Sequence, residues 1–321
     1  MRGIAAFASS VVLLDLVISP LAAEDARCTT RTILATVIDR QRNVVGGLTP
    51  AHFRGKFRGK PVQILSVTPD KRHRRIVIVV DASRSMGGER GMWTLVTDLA
   101  ADTFRLAPPN CSFALLVFSD TIKEWVGFNQ STTILAKKLA TLQMEPNRAV
   151  GKTALYDALT AALVELSPPH QGDTMYVITD GGDNASKTGR SELETALVTS
   201  GVRLFAFMPL THFDLLRSRA LQEATGPSAM LDLAQVTGGN VFSHTSPTTW
   251  FIPSEKERRQ QMRFALGRLY NQMGRQDRLE IRLAAPVDKP RGWKLEIVDE
   301  NGKPNRELEV LYPRKLMPCS S

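Results

Sequence analysis

The chain has 321 residues, 43% of them hydrophobic and 23% charged, with 22 glycines and 18 prolines. That composition excludes a disordered, collagen-like or disulfide-scaffold chain and leaves room for roughly two globular domains. Its 41 Lys and Arg against 32 Asp and Glu give a formal charge of +9, which attracts anionic partners without selecting among them.

Met1-Arg2, an apolar stretch from Ile4 to Val17 and the small residues Ser19 to Ala23 read as an export leader over 1–23, cut after Ala23. Asp15 and the shortness of the stretch argue against an uncleaved membrane anchor. No later segment is apolar over a spanning length, so the sequence predicts a soluble exported protein, secreted or periplasmic. Of three cysteines, Cys111 opens the apolar run Cys-Ser-Phe-Ala-Leu-Leu-Val-Phe and is expected to be a buried thiol. Cys28 and Cys319 lie near the two ends, where an oxidising compartment permits a bridge; antiparallel pairing of the first and last strands would bring them together.

Residues 24–70 read as a β segment, with a strand-like run at Ile33–Ile38, a turn at Asn43–Gly47 and alternation from Pro61 to Val67. Lys71-Arg72-His73-Arg74-Arg75 then leads into Ile76–Val80, a β-branched run suited to a strand covered on both faces. Similar runs at Phe113–Phe118, Met175–Ile178 and Val202–Phe207 alternate with helical periodicity. From Thr153 to Leu166 the apolar residues follow spacings of three and four, which predicts a helix with one face on the sheet. The pattern predicts a doubly wound, mainly parallel α/β sheet over 71–250, with helices on both faces. Residues 251–321 read as a charged helix, Glu255–Met273, and three alternating strands, with a turn at Asp299–Gly302. The two flanks have too few strands to stand alone. They are expected to meet in one small β module, a sandwich of about six strands, with the helix packing alongside and the α/β domain inserted.

In open parallel sheets ligands bind beyond the carboxyl ends of the strands. The first buried run ends in Asp81-Ala-Ser83-Arg-Ser85-Met-Gly-Gly, the third in Thr179-Asp180-Gly-Gly-Asp183, and Gly151-Lys152-Thr153 stands at the head of the amphipathic helix. Singly, each has a bland reading: Thr153 as a helix N-cap, Asp180 as a turn residue, Ser83 and Ser85 as loop polar groups. Together, two carboxylates and three hydroxyls at one edge form a hard oxygen site for Mg2+, Mn2+ or Ca2+, without the sulfur or imidazole that softer metals prefer.

Asp81-x-Ser83-x-Ser85, Thr153 and Asp180, in that order, resemble the metal-ion-dependent adhesion site (MIDAS) of von Willebrand factor type A (VWA) domains. The phrases Val-Val-Asp-Ala-Ser-Arg-Ser-Met, Gly-Lys-Thr-Ala-Leu-Tyr-Asp-Ala-Leu and Ile-Thr-Asp-Gly-Gly-Asp-Asn look like the secreted bacterial VWFA-related branch, and the likeness extends into both flanks. Lys152 departs from it, because that branch commonly has a second glycine there; a cation at this place would lower metal affinity or pair with an acidic ligand. The resemblance implies direct coordination by Ser83, Ser85 and Thr153, with Asp81 and Asp180 acting largely through water. The position left open would take an Asp or Glu from a partner protein, so the expected function is metal-dependent adhesion or scaffolding, not catalysis.

A nucleotide hydrolase is set aside, because the phosphate loop suggested by Gly151-Lys152-Thr153 needs a glycine where Pro146 stands. The alternative kept is a divalent-metal-dependent phosphotransferase or hydrolase with Asp81 as nucleophile, although Ser83 occupies the place of the usual second carboxylate. The five histidines form no catalytic arrangement, and no aromatic interleaving supports specific nucleic-acid binding. Lys71, Arg72, Arg74 and Arg75 could contact an anionic surface, but the preferred reading of the run is a solvated lead-in to the buried strand.

Overall fold

The structure, a computed structural model, describes residues 28–87, 92–106, 110–144, 150–209, 226–243 and 255–319; the predicted leader and Pro146 lie outside them. The first flank contributes β1 (Thr30–Asp39), β2 (Val44–Val45), β3 (Phe53–Phe57) and β4 (Lys60–Pro69). The central part follows as β5 (Arg74–Asp81), α1 (Arg84–Gly87), α2 (Met92–Leu106), β6 (Cys111–Phe118), β7 (Ile122–Val126), α3 (Thr132–Met144), α4 (Leu155–Glu165) and β8 (Thr174–Ile178). It continues as α5 (Arg190–Ser200), β9 (Arg203–Met208), α6 (Gly226–Val236), β10 (Val241–Ser243) and α7 (Glu255–Gly274). The second flank supplies β11 (Asp277–Arg282), β12 (Arg291–Gly292), β13 (Lys294–Ile297), β14 (Leu308–Leu311) and β15 (Lys315–Leu316).

The central sheet has the order β10-β9-β8-β5-β6-β7. Every neighbouring pair is parallel except β6–β7. Residues of β5 alternate between two cores, as a strand's period of two requires. Ile76, Ile78 and Val80 pack with α2, α3 and α7, while Val77 and Val79 pack with α4, α5 and α6. The predicted run needed both faces covered, and both are.

The flanks join in an antiparallel sheet of order β13-β3-β4-β11-β1-β14, with β2 added to β1. Its two ends approach each other: the Leu295 N–H donates to Tyr312 Oη at 3.0 Å, and the Trp293 and Tyr312 rings meet edge to face at 5.1 Å. The expected sandwich is therefore replaced by one sheet curled around Ile33, Phe53, Phe57, Leu279, Ile281, Trp293 and their neighbours. Curling lets a single sheet enclose a core on its concave side, with no second layer needed. β1 pairs antiparallel with β14, and Cys28 and Cys319 are bonded, with a Cα–Cα distance of 5.5 Å.

Three expectations need correction. The helix Glu255–Met273 does not belong to the β module: Met262, Leu266, Leu269, Tyr270 and Met273 form a stripe at helical spacing that packs into the central sheet. Cys111 is half-buried, not buried, because it opens its strand at the sheet's edge beside the Asn110 turn. Of the basic run 71–75, Lys71, Arg72 and His73 are exposed and Arg74 and Arg75 turn inward. Arg74 is buried and donates to the carbonyls of Met273, Gly274 and Asp70. Arg75 bonds Asp173 and the carbonyls of Leu166 and Pro168, and Arg72 pairs with Asp70 at 2.7 Å, leaving Lys71 as the one unengaged cation of the run.

These arginines, with Arg203, join the two parts at the amino ends of the central strands. Arg203, the first residue of β9 and fully buried, donates to Gly238 O at 2.9 Å and to Thr36 Oγ1 of β1 at 3.2 Å. Beside it a ring of side chains closes. Arg42 Nη1 donates to Asn240 Oδ1 at 3.0 Å, Asn240 Nδ2 to Gln272 Oε1 at 3.0 Å, and Gln272 Nε2 to Arg42 O at 2.9 Å. Satisfied polar networks of this kind fix one relative arrangement of the parts they join.

Candidate metal centre

The opposite, carboxyl ends of β5 and β8 carry the residues singled out in the sequence. Parallel register sets Val80 against Ile178, so Asp81 and Thr179 follow side by side. Thr179 Oγ1 donates to Asp81 Oδ2 at 2.7 Å, and the Ser83 N–H donates to Asp81 Oδ1 at 2.8 Å. Both carboxylate oxygens are thus held, and Asp81 is fully buried. An aspartyl nucleophile needs a free, approachable oxygen, so this geometry counts against the phosphotransferase alternative.

The third segment is stitched to the first by backbone bonds: Val150 N–H to Ala82 O at 3.1 Å and Arg84 N–H to Gly151 O at 3.3 Å. Gly151 takes φ +93°, a left-handed turn for which glycine is suited. Thr153 is locked to the loop after β8, donating its N–H to Asn184 Oδ1 at 2.9 Å and accepting at its carbonyl from the N–H groups of Asn184 and Ala185. The residue at the cap of α4 is Ala154, with no side-chain capping bond, so capping does not account for the Thr153 hydroxyl.

The five predicted residues therefore sit on three loops tied together at one sheet edge. Ser83 and Thr153 are buried, Asp180 is half-buried and Ser85 is exposed. Ser83 Oγ and Ser85 Oγ lie 3.1 Å apart. Asp180 Oδ1 accepts from the Gly182 N–H at 3.1 Å. Gly181, at φ +88°, donates its N–H to Thr179 Oγ1 and runs against the backbone of Gly226.

Burial, and after it the neighbouring Asp180 carboxylate, push the Asp81 carboxyl up to about 7. Among the described residues neither aspartate makes an ion pair. Two acids without a countercharge, facing three hydroxyl-bearing residues on tied loops, fit a divalent cation, which would supply the missing positive charge. Among the described residues no three His, Cys, Asp or Glu side chains cluster, so the donor set rests on hydroxyls as much as on carboxylates. Lys152 is exposed.

Thr179, Asn184 and Gly226 were not singled out from the sequence as supports. Thr179 stood within the quoted phrase, and its place directly after a buried run is the signal that could have marked it.

Residues 76–182 match the family model described as von Willebrand factor type A domain. No curated protein matches the chain. Among solved structures, the chain is similar to proximal thread matrix protein 1 from the mussel byssus, at 17% identity and TM-score 0.47, covering 66% of this chain and 49% of that one; it thus spans about half that protein's length. A further structure of the same mussel protein is described with a zinc-occupied MIDAS motif, at 18% identity and TM-score 0.45, covering 69% and 50%. The PilB minor pilin from Streptococcus sanguinis is similar at 13% identity and TM-score 0.39, covering 68% and 64%. The match over 76–182 takes in the Asp81, Thr153 and Asp180 segments, so it is this part of the chain that is similar to a von Willebrand factor type A domain.

Proposed function

We propose that the protein is an exported, metal-ion-dependent protein-binding module whose sheet edge holds a divalent cation and, through it, an Asp or Glu of a partner protein. Ser83, Ser85 and Thr153 would hold the ion directly, with Asp81 and Asp180 bonded to it through water. The observation that carries this reading is the buried Asp81 with the half-buried Asp180 next to it, uncompensated among the described residues and beside those hydroxyls. The bound ion would supply a Lewis-acid position for an external carboxylate. The chain's own contribution is to fix the three loops so that little rearrangement accompanies binding. Hydroxyl ligands leave the ion's charge largely uncompensated, so an incoming carboxylate gains from approaching it. The Cys28–Cys319 bridge supports an oxidising, extracytoplasmic location.

The test is calorimetric titration of chelator-stripped protein with Mn2+, Mg2+, Ca2+ and Zn2+, for wild type, Ser83→Ala and Thr153→Ala. Saturable binding of one ion per chain, weakened at least tenfold in both variants, is expected. Affinity capture from a native extract in the presence of that ion, eluted with chelator, then identifies the partner. Equal ion affinity in all three proteins would overturn the assignment.

A further inference from the structure

The formal charge of the chain is not evenly spread. Residues 74–274 hold 20 Lys and Arg against 19 Asp and Glu, whereas 28–73 and 275–319 together hold 19 against 10. The excess belongs to the β module. On the convex side of β13, β3 and β11, the side not filled by its core, Lys56, Lys294, Arg278 and Arg282 are exposed and form no ion pair among the described residues. Arg54, next to them, is paired with Glu296 at 2.7 Å.

One feature argues against a merely solvated face. Lys294 stands directly opposite Lys56 in the β13–β3 register, an arrangement of like charges that costs stability. The module meets the central sheet at Arg74, Gln171 and Arg203, at the amino ends of β5, β8 and β9; eight residues of β5 separate that end from the metal edge, roughly 25 Å.

We propose that this convex face of the β module docks onto an anionic phospholipid surface. The charges choose this occupant. The cations are scattered over three strands and interrupted by Glu296 and Glu280; fluid headgroups can gather under each cation and leave the glutamates solvated, which a rigid polyanion with fixed phosphate spacing cannot do. None of the large exposed apolar side chains among the described residues lies in the module, so contact would be electrostatic, without insertion, and released by salt.

The experiment is co-sedimentation of the full chain with vesicles of 30% phosphatidylglycerol in phosphatidylcholine, and of phosphatidylcholine alone, over increasing NaCl, with and without chelator. Wild type should partition at least tenfold better onto the anionic vesicles at low salt, equally well in chelator, since the metal edge takes no part. Lys56→Gln, Arg278→Gln, Arg282→Gln and Lys294→Gln combined should lose at least 100-fold, each cation near the surface contributing about fivefold. A control with Lys137→Gln, Lys187→Gln and Lys256→Gln on the central part should stay within about threefold of wild type. If the fourfold variant does not melt as wild type does, Lys56→Gln alone, with its expected fivefold loss, replaces it. Equal losses in variant and control, unchanged binding by the variant, or binding to heparin or duplex DNA with none to the anionic vesicles would overturn the proposal.

Discussion

Gly181→Ala tests whether the metal edge depends on a backbone conformation that only glycine adopts easily. Gly181 has φ +88°, and a Cβ there would lie 2.7 Å from Met208 Cε and 3.0 Å from the carbonyl carbon of Gly226. Met208 is flexible and can yield, but the Gly226 backbone cannot move without shifting α6. A left-handed backbone costs an L residue about 1–2 kcal/mol, and forcing an added methyl into packed backbone about 1 kcal/mol or more. The sum, about 2–3 kcal/mol, should lower Tm by roughly 5–10 °C. Relief by displacing residue 181 would also move Asp180, so Mn2+ affinity should fall at least tenfold. Gly182→Ala is the control: its Cβ would meet only Asp180 Oδ1, at an ordinary 3.4 Å, and it has no left-handed φ. Thermal melting and Mn2+ calorimetry on both variants decide the matter. If Gly181→Ala matched Gly182→Ala in both, the reasoning that ties the Asp180 loop to α6 would be refuted.

Asp81→Asn should abolish the response of Tm to divalent ions while raising Tm of the chelator-treated protein, because it removes one of two uncompensated carboxylates; a fall in metal-free Tm would contradict this. Asp70 gives a pH dependence. Burial alone would raise its carboxyl, but the Arg72 guanidinium and then Arg74 outweigh burial and hold it below the ordinary carboxylate range. A lowered folded-state value means stability that is present above the unfolded value near 4 and lost as pH falls through the folded one. Asp70→Asn should therefore flatten the acid limb of urea-unfolding midpoints below about pH 4, and at pH 7 cost about 3 kcal/mol by leaving buried Arg74 without its counter-ion. Cys28→Ser with Cys319→Ser opens a loop of 291 residues and should cost up to about 5 kcal/mol in urea unfolding.

The central sheet was legible because parallel strands covered on both faces must be apolar throughout, and Ile76–Val80 and Val202–Phe207 are. Two short charged strands were not: β3 reads Phe-Arg-Gly-Lys-Phe and β7 Ile-Lys-Glu-Trp-Val, both too short and too polar to stand out from loop. The allegiance of α7 was misread because its apolar stripe is sparse among arginines. The basic run 71–75 misled for a related reason: the acceptors of Arg74 at Met273 and Gly274 lie about 200 residues away, and only the fold brings them near. At the site, Asp81, Ser83, Ser85, Thr153 and Asp180 announced themselves by standing directly after buried runs or at the head of an amphipathic helix. Thr179 and Asn184 did not, because their roles depend on the register Val80–Ile178 and on the closing of two loops.

The arrangement of the two parts bears on how an attachment at the metal edge would be transmitted. α7 leaves the core of the central sheet at Gly274 and the chain enters β11 at Asp277, with no linker of flexible length between them. On the neighbouring strand, β4 ends at Pro69 and β5 begins at Arg74, and the short connection is itself pinned by the Asp70 N–H to Gln276 O at 2.8 Å. Two crossings of the chain, the buried Arg203–Thr36 bond and the ring of Arg42, Asn240 and Gln272 thus join the module to the same ends of β5 and β9. A pull between Asp81 and the module would run along β5, loading its ladder bonds to β6 and β8 together in shear instead of one at a time. That geometry resists a steady load without any moving part, and it keeps the orientation of the metal edge fixed relative to the cationic face of the module.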